Sequence, residues 1–143
     1  MIPTSNALAD YRCPSGMSAA GRHAGALARL PRELPALVAA IQGLLLHEYG
    51  AEAYGVELVD EQREDSHIRP VETVLERLLE DGPLTTARKP ARRLVGVCNR
   101  YALLTAAALR LHAVPARVRC GFGSYFSPIY RPIKYIGGHF QLG

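Results

Sequence analysis

"RRLVGVCNRYALLTAAALRLHAVPARVRCGFGSYF", Arg92 to Phe126, decides how the rest of the chain is read. A short apolar run passes through Gly96 to Cys98, and a long stretch of Ala, Leu, Tyr and Thr follows. Small residues at Ala102, Ala106, Ala107 and Ala108 permit close packing, so the pattern predicts a central, buried helix from near Cys98 to about His112. Val114-Pro115 marks a turn. Ala116, Val118, Cys120 and Phe122 then alternate with Arg117 and Arg119, which predicts a half-buried strand from Ala116 to Tyr125.

A cysteine in the first turn of a helix meets unpaired backbone N–H groups and the positive end of the dipole, and both favour thiolate over thiol. Gly96 lets the backbone approach closely and leaves room for a substrate. The N–H of Cys98 can help hold an oxyanion, with Gly96, Val97 and Asn99 shaping that site. Strand or loop, glycine, cysteine, buried helix is therefore a layout for a nucleophile. The alternative is that Cys98 is a small buried hydrophobe.

A thiol nucleophile needs a base on another element, usually histidine. His23 lies in a weakly patterned N-terminal stretch. His47 is expected to end a helix, where the dipole stabilises an imidazolium, and so to be structural. His67 precedes a helix in a loop. His112 ends the central helix, ~21 Å along the axis from Cys98, which excludes it. His139, in "KYIGGHF", follows the strand by a loop. An antiparallel return would bring it beside the helix that carries Cys98.

Upstream, residues 1–30 are rich in Ala, Gly, Ser and Arg and are expected to be a loosely ordered lead-in, with one domain from 31 to 143. Leu37, Val38, Ile41, Leu44 and Leu45 predict a helix from Pro35 to Tyr49. A polar loop follows, with a helical turn at Asp60 to Glu64. Pro70 suits the first position of a second helix, with Val71, Val74, Leu75, Leu78 and Leu79 on its buried face and Asp81-Gly82-Pro83 ending it. "LTTARKPARR" is a basic linker.

With 143 residues, 48% of them apolar and 21% charged, the chain has ordinary globular composition. It has no run of ~18 apolar residues, so no membrane partner is expected. Nor does it show a basic-then-hydrophobic leader. Cys13, Cys98 and Cys120 lack metal-ligand spacing and are too few for a disulfide framework, so a reducing cytoplasm and no metal or other cofactor are expected. Charge is divided unevenly. All 13 acidic residues lie at or before Asp81, and Arg88, Lys89, Arg92, Arg93, Arg100, Arg110, Arg117, Arg119, Arg131 and Lys134 follow it. Such asymmetry fits a nucleic-acid surface. Because the cations are spread over several elements, two halves that face each other, or a missing acidic partner segment, fit better.

The stretch Gly96 to Phe126 resembles the core of the transglutaminase-like superfamily: Gly-x-Cys, a helix, a Pro-Ala-Arg turn and a strand. "IQGLLLHEYGAEAYGV" and "SHIRPVETVLERLL" resemble a bacterial subgroup of the same proteins, so the likeness covers about Leu34 to Phe126. It implies an α+β, papain-like fold, with N-terminal helices and a Cys-bearing helix on an antiparallel sheet. It also implies a Cys-His-Asp triad acting on a peptide or amide substrate. Cys98 matches the nucleophile, and His139 is the best match to the base. Two glycines replace the usual acidic lead before that histidine, Phe140 stands where Trp is usual, and Asn99 replaces a common Arg. The family's Asp has no counterpart, since no carboxylate follows Asp81. Gln141 falls on the same strand as His139, not on a neighbouring one. The domain therefore reads as incomplete at its C-terminus.

Two functions are expected from this. One is a thiol acyltransferase, amidase or peptidase that needs no cofactor, impaired by loss of the third triad member. The other is a non-catalytic module of the same fold whose basic half binds an acidic partner or nucleic acid.

Overall fold

The computed structural model describes residues 5–14, 16–121 and 137–140, with side chains from Leu8 to Arg119. The chain is a mixed α+β structure in which helices gather around one buried helix, and two small strand pairs flank it. Helix α1 spans Ser5–Asp10, α2 Ala24–Leu27 and α3 Leu34–Leu44, and strand β1 follows directly at Leu45–His47. Helix α4 covers Asp60–Asp65 and α5 Val71–Glu80. Strand β2 at Leu94–Gly96 leads into α6, Cys98–Leu111, and then come β3, Val118–Gly121, and β4, Gly137–Phe140.

Helix α6 is the centre of the fold, as its small residues predict. Ala102, Leu104, Thr105, Ala106, Ala107, Ala108 and Leu109 are all buried in it. Helices α2, α3 and α5 and the turn at Gly16–Ser18 pack on it. Leu37, Ile41 and Leu44 from α3 and Val71, Val74, Leu75 and Leu78 from α5 complete the core. Each fully buried Leu or Val contributes about 1.5–3 kcal/mol relative to exposure. Helix α5 begins after Pro70, whose φ of −65° leads the chain into the first turn. Helix α4 forms where a short turn is expected. Its entry is held by the Val59 N–H, which donates to Gln62 Oε1 at 3.2 Å.

Two sequence expectations are corrected. The helix from Pro35 to Tyr49 stops at Leu44. Leu45, Leu46 and His47 instead form β1, which pairs in parallel with Leu94, Val95 and Gly96. A run of three leucines has no period of its own, so tertiary pairing decides its conformation. The pair is covered on both faces, as parallel strands require. Leu45 and Leu94 join the main core, while Leu46 and Val95 meet Ala51 and Leu58 on the other side. The second correction concerns the expected loose lead-in, residues 1–30. Ala20, Leu27 and Leu30 from this segment are buried in the core. Arg110 of α6 also donates to Ser18 Oγ at 2.7 Å.

Strands β3 and β4 form an antiparallel pair, with Val118 opposite Phe140 and Arg119 opposite His139. The expected alternation holds at its start, since Val118 packs on the core and Arg119 is exposed. The rest of the strand expected to reach Tyr125 lies outside the described residues.

Candidate functional site

Cys98 is the first residue of α6 and half-buried. Val97 before it is extended, at φ −112° and ψ 171°, and its side chain gives the helix no cap hydrogen bond. The N–H groups of the first turn therefore receive no side-chain oxygen from the N-cap position. Arg100 N–H bonds back to Val97 O at 2.9 Å, which closes the turn. Asn99, like Val97, is half-buried at this end of the helix.

Gly96 lies against Arg100. A Cβ there would lie 2.9 Å from Arg100 Cδ and 3.3 Å from Arg100 Nε. The missing side chain makes room for Arg100. Arg100 is 4% exposed. Its guanidinium donates to the carbonyls of Val95, Asp65 and Ile68, tying β2 and α6 to the connection between α4 and α5. Burial pushes its pKa down, with Asp65 opposing in part.

The parallel pairing places His47 directly opposite Gly96, beside the start of α6. Its ring stacks on Tyr101, with centroids 6.2 Å apart and planes at 27°. Tyr101 follows Cys98 by three residues, so the two are neighbours on the helix surface. Nδ1 of His47 accepts from the Tyr49 N–H at 3.3 Å. The sequence suggested an imidazolium favoured by a helix C-terminus. In the structure His47 ends a strand, and burial lowers its pKa against a partial opposing pull from Glu48. Tyr101 is pushed up to about 12, mainly by burial and next by Tyr54, so it stays a neutral phenol. Sequence reasoning placed neither residue's ring at this end of α6. Helical spacing from Cys98 would have found Tyr101, but nothing short of the strand pairing would have found His47.

The other histidines lie elsewhere. His23 is 3.7 Å from Glu76 on α5. His67 is exposed after α4. His112, at the far end of α6, has Nε2 3.0 Å from Leu30 O. His139 is on β4, which packs against α6, the helix that carries Cys98. Its side chain lies outside the described residues, as does Gln141.

The basic half of the chain is largely engaged within the protein. Arg92 pairs with Asp81 at 2.7 Å. Arg88 donates to the Leu78 carbonyl, Arg93 to that of Arg88, and Arg110 to that of Ala116. Arg117 donates to the Tyr11 hydroxyl and stacks over its ring at 5.0 Å. A cleft of about 320 Å³ is lined by Arg77, Arg88, Arg92 and Arg93 against Asp65, Glu80 and Asp81, and none of the candidate site residues lines it. Among the described residues no group of three or more His, Cys, Asp or Glu could hold a metal, and no helix is long and apolar enough to cross a membrane.

No family model, curated protein or solved structure matches this chain.

Proposed function

We propose that the protein is a transglutaminase-like thiol acyl-transfer protein on a papain-like scaffold, with Cys98 as nucleophile. The supporting observation is the placement of Cys98. It opens a 14-residue helix straight after a buried strand, it is only half-buried, and the N-cap residue, Val97, makes no side-chain cap hydrogen bond. The thiolate attacks an amide carbonyl, forming a C–S bond. The N–H groups of the first turn hold the oxyanion. The C–N bond then breaks, and the amine leaves with the proton first taken from the thiol by His139. Water or a second amine attacks the resulting thioester and restores the thiol. The β3–β4 pair supports this assignment of the base, because it packs β4, and with it the backbone of His139, against α6.

The reading of a non-catalytic module that binds an acidic partner through the basic half draws less support. Arg88, Arg92, Arg93, Arg100, Arg110 and Arg117 all have partners inside the chain.

p-Nitrophenyl acetate tests the proposal, since its acyl group moves to a competent sulfur as p-nitrophenolate leaves. The full chain is expected to gain one acetyl group on Cys98, removable by hydroxylamine and absent from Cys98→Ala. Acetyl spread equally over Cys98 and Cys13, or none on Cys98, would refute it.

A further inference from the structure

Among the described histidines, one stands at the start of α6. His23 is held against Glu76, and His112 is held at the other end of the helix. We infer that His47 is a further residue of the Cys98 site: a hydrogen-bond donor, through Nε2, to the anion formed there, whether thiolate or the oxygen of the attacked carbonyl. The inference rests on the thiol reading above and gives His47 a role distinct from the base.

Three observations carry it. The first is the register of the parallel strands. His47 is paired with Gly96, adjacent strands lie about 4.8 Å apart, and Cys98 follows Gly96 by two residues, at most about 7.6 Å of chain. The second is the stacking of the ring on Tyr101, which lies three residues after Cys98 and so neighbours it on the surface of α6. The third is the tautomer. With Nδ1 accepting from the Tyr49 N–H, a neutral ring carries its proton on Nε2. Burial disfavours the charged ring, and Glu48 offsets the effect only in part. A neutral imidazole protonated at Nε2 can donate there but cannot accept the thiol proton at that atom. The base must come from elsewhere, which leaves that part to His139.

The test is iodoacetamide alkylation of the full chain at pH 7, followed cysteine by cysteine, with exposed Cys13 as the internal reference. His47→Phe keeps a ring against Tyr101 and removes the N–H, whereas His47→Gln keeps an N–H donor. The Cys98/Cys13 rate ratio is expected to fall about tenfold in His47→Phe, as loss of one hydrogen bond to an ion implies. His47→Gln should stay within about twofold of wild type. A wild-type ratio in which Cys98 leads, unchanged in His47→Phe, would overturn the role of His47 and leave the nucleophile in place. A wild-type Cys98 no faster than Cys13 would overturn the nucleophile and this inference together. Should His47→Phe not fold, imidazole nitrogen shifts in the wild type decide the matter. A neutral ring protonated at Nε2 is expected, and one protonated at Nδ1, or charged, at pH 7 overturns the proposal.

Discussion

The two strand pairs of this protein have opposite characters. The β1–β2 pair is parallel, buried on both faces and made of uninterrupted apolar residues except at its His47–Gly96 end. The β3–β4 pair is antiparallel and begins with the alternation of a sheet that has one covered face, Val118 packed and Arg119 exposed. Both touch the surroundings of α6, yet they bring different chemistry to it. The first pair delivers the start of the helix itself and sets the half-buried His47 ring beside it. The second carries His139, the base proposed above. A buried parallel pair fixes positions through the core, whereas a half-covered hairpin fixes them through register.

The largest test of this contrast is chemical. Cys98→Ala is expected to abolish the single acetylation by p-nitrophenyl acetate, while thermal unfolding stays cooperative. Next in size is the core under β1. Leu45 is 1% exposed, and Leu45→Ala is expected to cost about 2–5 kcal/mol in urea unfolding. Val118→Ala in β3, at a half-buried position, is expected to cost about 1 kcal/mol. Equal losses at the two positions would erase the distinction between the pairs. Arg100→Met is expected to cost about 3 kcal/mol, because it strands the carbonyls of Val95, Asp65 and Ile68. It should also slow alkylation of Cys98, since Arg100 packs over Gly96 at the helix start.

The smallest expected effect is in pH dependence. His47 has its pKa lowered by burial, so the unfolded chain binds its proton more readily than the fold does. That contribution to stability is complete above the unfolded value of 6.5 and is lost as pH falls below it. Glu48 works against the shift. His47→Gln is therefore expected to flatten the fall in melting temperature between pH 7 and pH 5, and an unchanged slope would count against a buried neutral ring.

Much of the helical framework was legible. Pro70 and the spacing of Val71, Val74, Leu75 and Leu78 define α5. Cys98 and the alanines define α6 within a residue at its C-terminal end. What escaped has common causes. Leu44, Leu45 and Leu46 form an apolar run equally at home in a helix or a strand, and only Leu94 to Gly96, far along the chain, selects the strand. Ala20, Leu27 and Leu30 are too sparse to show a period, so their burial comes from the fold and not from a local pattern. Of the site, the position of Cys98 was legible because a helix start has a local signature. The meaning of Gly96 was not, because its neighbour Arg100 reaches it only through the folded turn. His47 was misread for the same reason as β1, since its surroundings are assembled from two separated segments.

The most direct measurement is the competition between Cys98 and Cys13 for iodoacetamide at pH 6 in the intact protein. Cys13 is exposed and Cys98 half-buried, so access alone favours Cys13. If the start of α6 activates its sulfur, Cys98 should nevertheless be alkylated several times faster. A Cys98 that trails Cys13 at pH 6 and stays behind at pH 8 would contradict the account.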